Sequence, residues 1–251
     1  STSLLTLPAS VTADPSFRRG QALLSVGLRP EALDAFEDVL SSAWNKPLLL
    51  ARLALHFREE GWHGLAARSA LRLVGHWPHG SVPDAPLAVQ HLVYPLVYAD
   101  LLSTEAEARN LDPLLLAALI RQESLFEPAA ESYAGARGLG QVMPATGKGI
   151  SRALKMEDFV LDDLYRPSVS VRFGAFYLGV QMERFDDQLL IALAAYNGGP
   201  GNTLRWLEGT GDDLDLFVEL ITAPASRAYL QHVYEHYVHY ETLYRPREAG
   251  E

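Results

Sequence analysis

The stretch GLRPEALDAFEDVL begins at Gly27, and GWHGLAARSALRLV begins at Gly61, thirty-four positions later. In this register Ala32 matches Ala66 and Ala35 matches Ser69, small residues that let two helices pack closely. A period of about 34 is that of stacked helix pairs, each too thin to bury its apolar face alone. The first hundred residues are therefore read as helical hairpins, forming either a superhelical array or an ordinary helical bundle. The tryptophans Trp44, Trp62 and Trp77 fall at helical spacing, which points to core packing ahead of a sugar-stacking surface.

A break follows at residues 76–86, HWPHGSVPDAP, where three prolines interrupt the pattern. Beyond it the helical period resumes over 169–185, 187–196, 214–221 and 226–244, with few alternating strand patterns. The expected fold class is all-α, with residues 1–88 as the helical-hairpin segment and 89–251 as a second helical domain. Glycine and proline concentrate in two loops, 135–149 and 198–201.

Composition narrows the function classes. The 251 residues are 48% hydrophobic, enough for one large or two modest cores. Residues 1–100 carry 8 Lys/Arg against 9 Asp/Glu, so nearly all of the net charge of −10 lies in the second part. An acidic chain with no run of Lys and Arg is poorly suited to neutralising phosphates, so no nucleic-acid partner is expected. No apolar run reaches the roughly 20 residues needed to span a bilayer, so no integral membrane segment is expected either. The absence of cysteine removes thiolate ligands, cysteine nucleophiles and disulfides. The first residues, STSLLTLPAS, lack a Met, a basic start and a signal-like apolar stretch, so a preceding segment is read as removed.

Candidate chemistry starts with AALIRQESLFEP, residues 117–128. Asp112 and Pro113 form a helix start, an N-cap oxygen followed by a residue with φ already set. Leu115, Leu116, Leu119, Ile120 and Glu123 then step by three and four along one core-facing stripe. Glu123 sits on that stripe near the helix C-terminus, where carbonyls carry partial negative charge. Both effects disfavour the ionised form and raise the pKa, which suits a proton donor. The alternative is a structural glutamate bonded to backbone or to Arg121 or Arg137. Glu127 and Glu131 lie past the helix without apolar periodicity and are read as solvated.

Two glycine-rich stretches accompany it. SYAGARGLGQVMP, residues 132–144, surrounds Gln141 and Met143 with glycines that let a ligand approach the main chain. LAAYNGGPG, residues 193–201, ends a helix with Tyr196 and Asn197 and a Gly-Gly-Pro-Gly turn that reads as a helix stop. His232, His236 and His239 have a spacing that suits a metal, but the same helix is filled with tyrosines, so packing is the reading and no metal or cofactor is expected.

In this order, RQESLFEPAAESYAGARGLGQVMPATG (121–147), FGAFYL (173–178), AAYNGGPGN (194–202) and SRAYLQHVYEHY (226–237) resemble the soluble lytic transglycosylases, bacterial enzymes with a goose-lysozyme-like catalytic domain. The resemblance covers about residues 90–245, and the larger members of that family place a helical array before the catalytic domain. It implies a peptidoglycan substrate, glycan strands as partner, a cell-envelope or periplasmic location, and N-terminal helices free to meet protein partners. It makes Glu123 the single catalytic acid. Ser132 matches a serine that contacts the N-acetyl sugar, Gln141 and Met143 match groove residues, and Tyr196 and Asn197 match the pair facing the acid. The tyrosine is expected to hydrogen-bond the carboxyl or the sugar.

The departures from the family pattern are Gly140 for methionine, Gly199 for alanine, Ser170 for asparagine, and Ala225 for the glutamate of a Glu-Thr-Arg motif. The last one removes a residue of the substrate groove. The implied reaction is cleavage between N-acetylmuramic acid and N-acetylglucosamine with closure of a 1,6-anhydro ring. Its alternatives are a hydrolase of the same fold and a glycan-binding module.

Overall fold

A computed structural model describes residues 6–77, 79–211 and 213–245. The described residues form α-helices and two short 3-10 helices, with no strand among them beyond isolated bridges. The all-α expectation holds. The chain divides into two compact units, one of residues Ser1–Val97 and Leu125–Ala130, the other of Tyr98–Ser124 and Glu131–Glu251.

The first unit contains α1 (Ala9–Thr12), α2 (Pro15–Ser25), α3 (Arg29–Ser42), α4 (Pro47–Glu59), α5 (His63–Val74) and α6 (Leu87–Val93). The 34-residue echo is visible in its backbone. Leu28 N–H donates to Leu23 C=O at 3.0 Å, and Trp62 N–H donates to Phe57 C=O at 2.7 Å. Both bonds close helix C-termini around a left-handed glycine, Gly27 at φ 79° and Gly61 at φ 76°. No atom crowds either glycine, so it is the positive φ that calls for the residue. Ala32, Ala35, Ala66 and Ser69 are all buried, as the register requires.

Phe36 centres this unit's core, edge-on to Phe17, Phe57 and Trp62 at centroid distances of 5.6, 5.2 and 6.0 Å. Trp62 is buried and Trp77 packs at the core edge, whereas Trp44 is 59% exposed and departs from the core reading. Its carbonyl accepts a bond from His76 Nε2 at 2.8 Å, so its backbone rather than its ring is anchored.

Glu127 also departs from expectation. It is buried, and its carboxylate takes two bonds from the Arg29 guanidinium at 2.5 and 3.2 Å and one from Ala129 N–H at 3.2 Å. Arg29 in turn lies 3.7 Å over the Trp62 ring. A partner ninety-eight residues away is invisible to local periodicity, which is why the residue reads as solvated in sequence.

The second unit contains α7 (Ala99–Glu107), α8 (Pro113–Ser124), α9 (Pro144–Ala153), α10 (Pro167–Arg184), α11 (Leu189–Gly198), α12 (Pro200–Leu207), α13 (Leu214–Leu220) and α14 (Pro224–Tyr244). Helix α8 runs through its middle, packed by α7, α10 and α14. Seven consecutive residues, Leu115 to Arg121, are buried, so the helix is enclosed on all sides rather than along one stripe. Its start is as expected: Asp112 Oδ1 accepts Leu114 N–H at 2.8 Å, and Tyr237 donates to Oδ2 at 2.8 Å.

Both glycine-rich stretches are shorter loops than the sequence suggested. Helix α9 starts at Pro144, inside the expected loop 135–149, and α12 starts at Pro200, inside 198–201. In each case proline occupies the first helical position, behind the extended Met143 or behind Gly199 at φ 82°, where its missing N–H costs nothing. The Gly-Gly-Pro-Gly turn stops one helix and starts the next. Among the described residues no helix is long and apolar enough to cross a membrane.

Candidate active site

Helix α8 delivers Glu123 to its last turn, and consecutive left-handed residues Leu125 (φ 49°) and Phe126 (φ 60°) end the helix just beyond it. Glu123 is half-buried and forms no ion pair among the described residues. Oε1 accepts a 2.6 Å bond from the Tyr229 hydroxyl on α14. Burial pushes the carboxyl up to about 7, against the smaller, lowering effect of that hydroxyl. A carboxyl with this pKa carries its proton over much of the range up to neutrality and releases it readily, which suits alternating acid and base work.

The structural alternative, a pair with Arg121 or Arg137, is not what the geometry shows. Arg121 NH1 lies 2.7 Å from His236 Nε2, and Arg137 pairs with Asp162 at 2.9 Å. His236 also meets Gln122 Oε1 at 3.2 Å and is held down to about 3 by burial first and then by the Arg121 charge. That guanidinium engages His236 Nε2, while His232 stacks on His236 at 6.4 Å. Among the described residues no group of three or more His, Asp or Glu is placed to hold a metal ion.

The glycine loop is built onto the end of α8. Ser124 Oγ donates to Leu139 C=O at 3.0 Å, tying the loop to the residue after Glu123. Arg137 and Val142 exchange both backbone bonds at 3.1 Å and close the loop at its base. Within it Gly138 has φ 73°, and a methyl group there would lie 1.9 Å from the Leu164 carbonyl oxygen, so glycine is required twice over. Gln141 also takes a left-handed φ of 46°, with its Nε2 donating to Gly138 C=O at 2.9 Å.

The next peptide is clamped from two other helices. Gly140 N–H donates to Ser170 Oγ of α10 at 3.2 Å, and Tyr196 of α11 donates its hydroxyl to Gly140 C=O at 2.7 Å. Ser170 is fully buried, so the residue that replaces asparagine here holds the loop. Tyr196 differs from expectation, since its hydroxyl is committed to this carbonyl and not to Glu123.

The remaining sequence candidates are placed as follows. Ser132 Oγ accepts Ala136 N–H at 3.0 Å and shapes the turn that precedes the loop. Met143 is 42% exposed at the start of α9. Asn197 is exposed, and its Oδ1 accepts the Ser226 hydroxyl at 2.8 Å. Thus Gln141 and Tyr196 are bonded directly to the glycine loop, which Ser124 ties to the end of α8, whereas Glu123 is bonded to Tyr229, and Ser132 and Asn197 are held by other partners. Ala225 is exposed at the head of α14, and Arg227 caps α13 by donating to the carbonyls of Glu219 (2.6 Å) and Ile221 (3.0 Å).

Tyr229 is the residue that sequence reading misses, because a tyrosine on an aromatic-rich helix reads as packing. Its signal was the burial itself: a buried phenol needs an acceptor, and α14 carries five tyrosines with few apparent ones. Glu131 remains exposed, its Oε2 accepting the Tyr165 hydroxyl at 2.6 Å.

Residues 100–215 match the Transglycosylase SLT domain family. A soluble lytic murein transglycosylase of Salmonella typhimurium is 30% identical over 159 residues, covering 62% of this chain and 25% of that protein. One from Escherichia coli is 30% identical over 155 residues, covering 61% and 23%. This chain therefore spans about a quarter of the length of these relatives.

Among solved structures, an inactive glutamate-to-glutamine variant of lytic transglycosylase Slt from Pseudomonas aeruginosa superposes with a TM-score of 0.78 at 27% identity, over 98% of this chain and 39% of that one. The 70 kDa soluble lytic transglycosylase in complex with bulgecin A gives a TM-score of 0.80 at 23% identity, over 96% and 38%, which speaks for the fold alone. Motifs, domain match and fold agree: residues 100–215 match the Transglycosylase SLT domain, and the chain is similar to soluble lytic transglycosylases in sequence and fold.

Proposed function

We propose that the chain is a peptidoglycan lytic transglycosylase of the cell envelope, with Glu123 acting first as general acid and then as general base. The observation that carries this reading is a half-buried carboxyl with a neutral phenol as its partner and a pKa of about 7. Most glycosidases need a second carboxylate as nucleophile or base. The two nearest in sequence are committed elsewhere, Glu127 to Arg29 and Glu131 to Tyr165.

With one acid, the steps balance as follows. Glu123 gives its proton to the oxygen between N-acetylmuramic acid and N-acetylglucosamine, and the bond from C1 to that oxygen breaks. Positive charge at C1 is shared with the acetamido oxygen of the same sugar. The ionised Glu123 then takes the proton of the muramoyl 6-hydroxyl, whose oxygen bonds to C1 and closes the 1,6-anhydro ring. Water is not consumed. The Tyr229 hydroxyl stabilises the carboxylate between the two transfers and fixes its orientation.

Gln141 and Met143 line the groove beside the acid, and Asn197 faces it from the end of α11. Tyr196 and Ser132, with hydroxyls bound to backbone, shape the loop. Digesting purified sacculi in oxygen-18 water tests the reaction. Anhydro ends without label are expected; labelled, hydrated muramic ends would assign a goose-type hydrolase instead. Absence of any cleavage would leave a glycan-binding module.

A further inference from the structure

The chain has only three lysines, and two of them, Lys148 and Lys155, line one open groove of about 440 Å³ together with Arg152. The floor is Met156 and Phe159, with Ser151 and Glu157 completing the wall. All three cations are exposed, and none forms an ion pair within 4 Å among the described residues. In contrast, eight other arginines of this acidic protein are each paired with a carboxylate. The i, i+4, i+7 spacing was present in the sequence, but only the fold sets these side chains around a single groove.

Helix-end electrostatics accounts for part of the cluster. Arg152 lies in the last turn of α9, where a cation offsets the carbonyl ends. It does not account for Lys148, in the first half of the helix, nor for the form of Lys155. Lys155 has φ 55°, and Met156 N–H donates to Ser151 C=O at 2.8 Å across it. This is the left-handed position after a helix, where glycine is the unstrained residue. A lysine there places a charge on the groove at a backbone cost.

We propose that this groove binds the carboxylates of the stem peptide carried by the glycan strand. The proposal rests on the peptidoglycan reading and deepens it. Helix α9 begins directly after Met143, so three of the lining residues, Lys148, Ser151 and Arg152, are on the element that leaves the active-site loop. From Lys148 to Lys155 the chain advances about 10 Å at 1.5 Å per residue. An extended peptide with free carboxylates along its length and at its end spreads three residues over about 10 Å as well. Three exposed cations beside Met156 and Phe159 match such a peptide better than the single lactyl carboxylate of a bare muramoyl sugar, or a phosphodiester chain, whose repeating charges need a longer stripe.

The test is a triple variant, Lys148→Ala, Arg152→Gln and Lys155→Gly, assayed on peptide-bearing strands and on strands stripped by an amidase. Each change suits its backbone position, and Lys155→Gly relieves the left-handed φ, so the variant is expected to melt no lower than the parent. The KM on peptide-bearing strands should rise roughly tenfold, from the loss of three exposed ion pairs, with kcat unchanged. On stripped strands, which keep one lactyl carboxylate per muramoyl residue, the rise in KM should be much smaller. Equal effects on both substrates, or none on either, would overturn the proposal.

A second arm needs no turnover. Nuclear magnetic resonance titration of the intact chain with a free tetrapeptide stem should shift the amides of α9, and the triple variant should abolish the shifts. No α9 shifts with the parent chain would count against the groove even if strands are cleaved. Conversely, stem binding without cleavage of any strand would refute the catalytic reading and leave the groove standing. Inorganic phosphate or phosphatidylglycerol vesicles binding α9 as tightly as the stem would make this a general anion site and overturn the assignment.

Discussion

Two glutamates four residues apart, Glu123 and Glu127, lie in different units and are used in opposite ways. Glu127 is buried in the first unit, where the two oxygens of its carboxylate meet the two-pronged guanidinium of Arg29. Glu123 ends α8 in the second unit and meets only a phenol. An opposite charge favours the ionised carboxylate, whereas burial with a neutral donor leaves the proton in place to higher pH. The partner, more than the glutamate, separates a structural anion from a transferable proton.

The largest expected effect breaks that contrast at the acid. Glu123→Gln should lower the rate of sacculus solubilisation by roughly 10²–10⁴-fold, the usual weight of a general acid, while Glu127→Gln should leave the rate per folded molecule near that of the parent. Turnover measured against active folded protein compares them. The converse effect is on stability. Glu127→Gln should cost about 1–3 kcal/mol in a denaturant titration, because it leaves the partly buried Arg29 charge without its counter-ion.

The pH dependence of folding sharpens the same distinction. The Glu123 carboxyl has a folded pKa of about 7, above its ordinary value of 4.5. Its contribution is therefore fully present below about pH 4.5 and is lost as pH rises through 7, since the folded state must then hold a buried anion. Glu123→Gln removes this loss, so it should stabilise the chain by about 1–3 kcal/mol at pH 8 and have little effect at pH 4. Thermal melts at the two pH values read this directly.

The smallest expected effect concerns the phenol. Tyr229→Phe removes the hydrogen bond that lowers the Glu123 pKa, so the alkaline fall in activity should move to higher pH. A profile that stays in place would show that the hydroxyl does not set the proton affinity of the acid.

Several elements were legible because their causes are local. The start of α8 follows from Asp112 and Pro113, and its burial from the unbroken apolar run that precedes Arg121. The repeated helix ends at Gly27 and Gly61 follow from left-handed φ values that side chains resist. Glycine density announced a close-packed loop at Gly138 for the same reason. The helix starts at Pro144 and Pro200 were less legible, since proline signals a break and an N-terminus alike.

By itself, then, the sequence determined that this protein is helical, where α8 begins, and that a carboxylate, Glu123, stands at the end of its apolar run. These properties depend on neighbours within a turn or two of the chain. Only the tertiary structure decided that Tyr229 meets Glu123 across 106 positions, that Tyr196 turns to Gly140, and that Glu127 closes on Arg29. A pattern of side chains fixes which face is buried, but a hydrogen bond of 2.6 Å depends on how whole helices pack, and no single segment contains that information.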